Sequence, residues 1–253
     1  MQDNYSFELI QTGKRIDGRT FEEFRKIEIE TGIIKTAEGS ARVRFGETEV
    51  IVGVKLNVGT PFADTPNEGT LMVNAEFSPI ASPDFEAGPP SEDAVELARV
   101  VDRGIRESHT IDLEKLVITM GEKVWTVFVD VHIINHAGNL MDAAALAAIA
   151  ALHNTKVPKI NENVIVRDEF SGNLPVKFKP IMVTVCKIGN NFVLDPVLDE
   201  EKAVDTKLSV AVRDDDNICA LQKQGNEGLQ FSDLEKIIDI AMEKSKEIRK
   251  LVK

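Results

Sequence analysis

The stretch from Ser91 to Arg106 holds the side chains of this chain best placed to do chemistry. It opens with Ser91, Glu92 and Asp93 and continues into Arg99, Arg103 and Arg106. A helix N-terminus attracts anions such as phosphate through its free backbone N–H groups and the positive end of its dipole. Here a hydroxyl and two carboxylates fill that place, so the helix is expected to cap itself. At about 100° per residue the three arginines fall within roughly 60° of one another, while Ala94, Leu97, Val101 and Ile105 gather on the opposite side. One face is expected to pack, and the other offers guanidinium groups. Two uses of that row stay open. It can hold phosphate, or it can be a solvated face of helical pairs, Glu96 with Arg99 or Arg103, Asp102 with Arg106, and Arg103 with Glu107, each worth about 0.2–0.5 kcal/mol.

Other candidates are weaker. His132 and His136 are four apart, but their segment reads as a strand running into a loop, so two histidines on one helical turn are not available for a metal. Asp195, Asp199, Glu200, Glu201 and Asp205 form an acidic run that fits either magnesium ligation through carboxylate oxygens or a solvated loop. Lys14, Arg15, Arg19, Arg25 and Lys26 form a basic arm, read either as phosphate contacts or as a solvated segment paired with Glu22, Glu23 and Glu28. No GxGxxG, Walker loop or Gly-x-Ser-x-Gly elbow occurs.

The elements that must position these groups are legible from periodicity. Residues 4–13 read as a short helix, and 39–59 as two strands turning at Gly46-Glu47, with Ala41, Val43 and Phe45 alternating inward. A turn and a long strand follow over 117–139, with Trp125 expected in the core beside Val127 and Val129. Residues 141–155 form a helix that is apolar nearly all round and therefore buried. Hairpins are expected at 179–196, turning at Gly189-Asn190, and at 205–225. The last helix is signposted by a capping box at Ser232 and Glu235, with Phe231, Leu234, Ile238, Ala241, Ser245 and Ile248 facing the core. Residues 156–180 show turn clusters and little periodicity, which suits a linker, and a boundary near Asp168. Hairpins alternating with crossing helices give an α+β fold of the α/β sandwich kind.

Composition sets the outer limits. The 253 residues suffice for one large domain or two smaller ones, and 43% hydrophobic with 28% charged residues is ordinary for a folded protein. A net charge of -12 argues against broad nucleic-acid binding, so any RNA site must be local or shared with a basic partner. Cys186 and Cys219 lack metal-ligand spacing and suggest a reducing compartment. No signal-like start or membrane-length apolar run is present, so a soluble, cytoplasmic protein is expected.

Several motifs then agree in order and spacing: RIDGR at 15–19, EGSARVRFGETEVI at 38–51, MVNAEFSP at 72–79, the Gly88-Pro89-Pro90 loop and Leu194-Asp195-Pro196. They resemble the RNase PH family of phosphorolytic exoribonucleases over nearly the whole chain. The stretches at 92–108 and 124–158 and the N-terminal helix are most similar to the non-catalytic RNase PH-like subunit of the archaeal exosome core. The resemblance implies an RNase PH-like fold related to the ribosomal protein S5 domain 2-like fold, in two β-sheet/helix halves. Residues 1–30 would be an N-terminal helix and arm, 31–167 RNase PH domain 1 and 168–253 RNase PH domain 2.

The resemblance also implies a site. Active members attack the 3'-terminal phosphodiester of RNA with inorganic phosphate and release nucleoside diphosphates. They carry paired arginines where this chain has Glu92 and Asp93, and Gly-Ser-Arg or Gly-Thr-Arg where it has Gly138, Asn139 and Leu140. They carry two acids two apart where it has Asp205 and Lys207. Three requirements fail together, which implies no catalytic residue and no cofactor in this chain, with inorganic phosphate, and magnesium as a further candidate, used at a partner's site. Arg99 and Arg103 match arginines that hold RNA in the archaeal subunit, and Arg106 extends the row. With one Trp and one Tyr, the chain is expected to read phosphate and ribose rather than sequence. The implied partners are a catalytic RNase PH-like exosome subunit, three plus three in a hexameric ring, RNA-binding cap subunits and single-stranded RNA, with no membrane. Two other functions remain: an active phosphate-dependent 3'-to-5' exoribonuclease, and a metal-dependent hydrolytic nuclease using Asp195, Asp199 and Asp205.

Overall fold

Alternating β-branched residues build the larger sheet around the expected tight hairpin. The computed structural model describes residues 4–161 and 164–252. The sheet runs in the order β1 (Ile27–Thr31), β2 (Gly39–Phe45), β3 (Thr48–Gly59), β6 (Lys123–Asn135), β4 (Thr70–Phe77), with the short β5 (Val117–Thr119) against the start of β6. All its pairings are antiparallel except that of β4 with β6. Val43, Val52, Val129 and Ile133 fill its inner face, and Trp125 is buried with them as expected. The smaller sheet is fully antiparallel: β10 (Asn191–Leu194), β9 (Ile181–Ile188), β11 (Thr206–Val212), β12 (Ile218–Gly225).

One helix joins the two sheets. α3 (Leu140–His153) contains seven alanines, the strongest helix former and the smallest side chain that still packs, and every residue from Leu140 to Leu152 is buried. It lies on β2 and β3 of the larger sheet and on β9 of the smaller one, so a single apolar cluster runs through both halves. α2 (Glu92–Glu107) rests on β4 and α3 and touches β12; α5 (Phe231–Arg249) covers β9 and β11. α1 (Asn4–Gln11) and α4 (Leu198–Glu201) flank the β9–β10 hairpin, where Ile10, Ile188, Val193 and Ala203 form a separate small core.

Two local readings are corrected. Residues 156–180 are not a linker: β7 (Lys156–Asn161) and β8 (Val164–Asn173) pair as a hairpin, and Asp168 lies inside β8. The hairpin is exposed on most of β8, so no apolar alternation marks it. It is held by Val157, Ile160 and Ile165, which pack on the core, and by polar bonds from Arg167 to Glu38 (2.5 Å) and Asn57 (2.7 Å). α5 also starts earlier than its expected Ser232–Glu235 cap. Gln230 is the cap residue, and Asp233 accepts from its backbone N–H at 3.3 Å while pairing with Lys187 of β9 at 2.5 Å. That start leaves Phe231 75% exposed and turns Ile237, in place of Ile238, inward with Ala241, Ser245 and Ile248.

The basic arm fits neither of its two readings at three of its five positions. Arg15 is buried and forks onto buried Glu200 at 3.1 and 2.6 Å, with further bonds to the carbonyls of Leu194 and Asp195 at 2.9 Å each. Arg19 and Arg25 both reach Asp195, at 3.1 and 2.7 Å. Lys14, which is exposed, and Lys26, paired with Glu28, match the solvated reading. Removing one member of a buried ion pair leaves the other charge uncompensated, at a cost of about 3–5 kcal/mol. Urea unfolding of Arg15→Met should therefore show a loss in that range, with the double variant Arg15→Met/Glu200→Met recovering part of it. Equal stability of Arg15→Met and the parent would contradict this.

Candidate functional site

The expected helix capping forms as the sequence directs. Ser91 is the N-cap of α2, and its Oγ accepts from Ala94 N–H at 3.2 Å, with Glu92 and Asp93 exposed in the first turn. The loop before the helix is fastened by Phe85, whose ring packs on Phe77 (4.7 Å) and stacks on His136 (5.5 Å, 10° between planes). His136 follows β6 in a loop, as expected, and His132 stands on the strand beside Glu76 at 3.3 Å. Burial lowers the His136 pKa, with Lys207 and Arg25 adding to the effect against Glu201 and Asp84.

The start of α3 is built around two left-handed residues. Gly138 has φ +98°, and a Cβ there would lie 2.3 Å from the Pro196 carbonyl oxygen, so only glycine fits. Asn139 follows with φ 54° and is buried. Its side-chain amide donates to Asp142 (3.1 Å) and Asp195 (3.0 Å), and its backbone N–H donates to the Glu201 carboxylate at 2.9 Å. The N-terminus of α3, where the resemblance places a phosphate grip, thus already holds a carboxylate. Asp142 behind it accepts from the Thr184 N–H and hydroxyl at 3.0 and 2.7 Å.

Asp93, Asn139, Leu140 and Lys207 line one cleft of about 220 Å³, together with Glu96, Glu201, His136 and Gln224. Residues from α2, α3, α4 and β11 that are far apart in sequence therefore meet in one cleft. Glu92 does not join them; it lines the outer groove between α2 and β12 with Arg99 and Arg103. The cleft carries three carboxylates, Asp93, Glu96 and Glu201, against the single ammonium of Lys207. Like unit charges about 4 Å apart repel by roughly 4 kcal/mol at an effective dielectric near 20, so the balance is hostile to an incoming phosphate.

The remaining candidates are occupied elsewhere. Asp205 accepts from the Gly189 N–H at 2.6 Å and so fixes the β9–β10 turn. Asp199 pairs with Lys202 at 3.0 Å on the surface. Asp195 is buried; burial raises its pKa, but the Arg25 hydrogen bonds and charge outweigh that and hold it below the usual carboxylate range. The three acids of the metal reading do not converge, and among the described residues no group of three or more His, Cys, Asp or Glu side chains could hold a metal ion. Arg106 grips Asp102 at 3.1 and 2.7 Å and the Leu71 carbonyl at 3.1 Å. Arg99 and Arg103 are exposed, and among the described residues neither guanidinium has a hydrogen bond or ion pair. Of the expected helical pairs, only Asp102 with Arg106 forms.

Glu201, Glu96 and Gln224 in the cleft escaped sequence reasoning as site residues. Glu201 stood in the noted acidic run, but nothing in its neighbours reveals that it reaches the start of α3.

Comparison with known proteins places the chain in a family. Domain 1 of the 3' exoribonuclease family matches residues 23–158, and domain 2 of that family matches residues 180–244. The exosome complex component Rrp42 of Thermococcus gammatolerans is 51% identical over 249 residues, covering 96% of this chain and 91% of that protein. Its counterpart in Methanosarcina mazei is 49% identical over 253 residues, covering 99% and 93%. Among solved structures, a chain of the Archaeoglobus fulgidus exosome with RNA bound to the active site superposes with a TM-score of 0.93 at 48% identity, covering 100% of this chain and 98% of that one. A chain of an archaeal exosome core gives a TM-score of 0.88 at 44% identity, covering 98% and 95%. Among the described residues no helix is long and apolar enough to cross a membrane.

The buried Asp142 gives the site a measurable pH signature. Burial pushes its carboxyl up to about 6, against hydrogen bonds from Thr184 and Asn139. With an unfolded value of about 3.9, the folded state binds the proton more tightly, so this group's contribution to stability is largest below about pH 4 and falls as pH rises to about 6. Measured by urea unfolding, the parent chain should lose ground to Asp142→Asn across that window, by up to about 3 kcal/mol. A difference between the two that stays flat with pH would contradict the assignment.

Proposed function

The chain belongs to the 3' exoribonuclease family in both its domains, and from that premise we propose that it is a non-catalytic ring subunit of an archaeal-type exosome. One observation carries the reading: Glu201 occupies the Asn139 N–H at the start of α3, at 2.9 Å, where a phosphorolytic enzyme must grip phosphate. Asp93 and Leu140 beside it supply no cation, and Lys207 stands where an acid is required. The chain keeps the fold of a phosphorolytic nuclease while its anion site is filled from within.

Its contribution is then positioning. Three copies alternate with three catalytic RNase PH-like chains in a hexameric ring, RNA-binding caps sit on one face, and inorganic phosphate, with magnesium where required, is used at the partner's site. The relatives bearing the name exosome complex component Rrp42, and the likeness to an RNA-bound archaeal exosome, support this assembly. Two free cysteines and the lack of a membrane-length helix among the described residues support a cytoplasmic site of action. Arg99 and Arg103 hold the RNA backbone, since each planar fork can donate two hydrogen bonds to one phosphate and both are exposed on α2. Arg106 extends the row through its Nη1, while Nε and Nη2 stay on Asp102 and the Leu71 carbonyl.

The test is Arg99→Glu/Arg103→Glu in the assembled complex. Single-stranded RNA should bind about tenfold more weakly or worse, given roughly 1.5–3 kcal/mol for each charged hydrogen bond lost, and decay should slow. The complex should elute at its parent size by size-exclusion chromatography. Unchanged RNA affinity in an intact ring would remove the positioning role.

A further inference from the structure

α2 sets up a competition between its acids and its bases. Glu96 stands three residues before Arg99, a spacing at which a carboxylate and a guanidinium attract each other on a helix surface. The helix does form such a pair where nothing intervenes, between Asp102 and Arg106 at 2.7 Å. Glu96 behaves differently: its Oε1 accepts from Nε2 of Gln222, on the edge strand β12 of the other sheet, at 3.1 Å. Glu96, Gln222, Arg99 and Arg103 all line the open groove between α2 and β12, of about 470 Å³. Glu96 also lines the acidic cleft, so its carboxylate sits at the border between the filled anion site and the arginine row.

We infer that Gln222 is a positioning residue for RNA contact: it ties the Glu96 carboxylate to the smaller sheet and so keeps the Arg99 guanidinium open to phosphate. An amide suits the task because it donates to the carboxylate without adding a cation that would draw the RNA backbone off the row. The inference rests on the reading of Arg99 and Arg103 as RNA contacts.

The experiment uses the chain assembled with its catalytic partner and a single-stranded oligo(A) RNA, with affinity measured from about 50 to 200 mM salt. Gln222→Ala releases Glu96 to pair with Arg99. RNA should then bind about twofold more weakly at the low-salt end, and the slope of log affinity against log salt should become shallower by up to about 0.7, the value of one single-strand phosphate contact. Adding Glu96→Gln to Gln222→Ala should restore the slope, because a neutral amide does not compete for the guanidinium; lost packing at β12 would not be rescued this way. An unchanged slope in Gln222→Ala, or a double variant no better than the single, overturns the positioning role. Arg99→Glu, run in parallel, separates the two levels. If it weakens binding while Gln222→Ala does not, only Gln222 is discarded; if it has no effect, the RNA role of Arg99 falls and that of Gln222 with it.

Discussion

A buried carboxylate persists only when its lone pairs are met, and Asp195 is met from three directions. It sits in a left-handed conformation at φ 46° just after β10. Its oxygens accept from the backbone N–H and guanidinium of Arg25, from Arg19 and from the Asn139 amide. The N-terminal arm, the smaller sheet and the N-cap residue of α3 are thereby tied at one point. The neighbouring Arg15–Glu200 pair fastens the same junction a second time. Such clusters are weak evidence for stability, since desolvation opposes the Coulombic gain; their effect is to fix geometry. Here the fixed geometry is the backbone at Gly138-Asn139, packed so closely on Pro196 that no side chain fits at Gly138.

The chemical character of the cleft follows from that junction. α4 carries Glu200, which holds Arg15, and the next residue, Glu201, which reaches the Asn139 N–H. The contact that fastens the junction and the contact that meets the Asn139 N–H are therefore adjacent in the chain. With Asp93 and Glu96 contributed by α2, the cleft is acidic where the family's chemistry needs cations. On its outer side the same helix presents Arg99 and Arg103 to solvent. An overall charge of -12 is compatible with RNA contact under these conditions, because phosphate responds to the local field of a few oriented guanidinium groups.

The sequence was most informative where burial imposes a period. α3 and the hairpins at Gly46-Glu47 and Gly189-Asn190 follow directly from alternation or from a run of alanines. β8 is unreadable because most of its side chains are exposed, and it is attached by one apolar residue, Ile165, and by the polar bonds of Arg167. The start of α5 was displaced by an ion pair to β9 that local capping rules do not contain. At the site, Asp93, Asn139, Leu140 and Lys207, singled out by resemblance to a family, line one cleft, while Glu92 lies outside it. The arm's three arginines are illegible for a different reason. A sequence displays the charge of Arg15 but not its partner, which lies 185 residues away.

On the proposed function, the fold of a phosphorolytic nuclease is retained while its anion site is filled by resident carboxylates. Nucleoside diphosphate release from single-stranded RNA in the presence of inorganic phosphate tests it most directly, measured for this chain alone, for the catalytic partner alone and for the two together. The chain alone should release none, and the mixture should release more than the partner by itself. Phosphate-dependent release of nucleoside diphosphates by the isolated chain would contradict the claim.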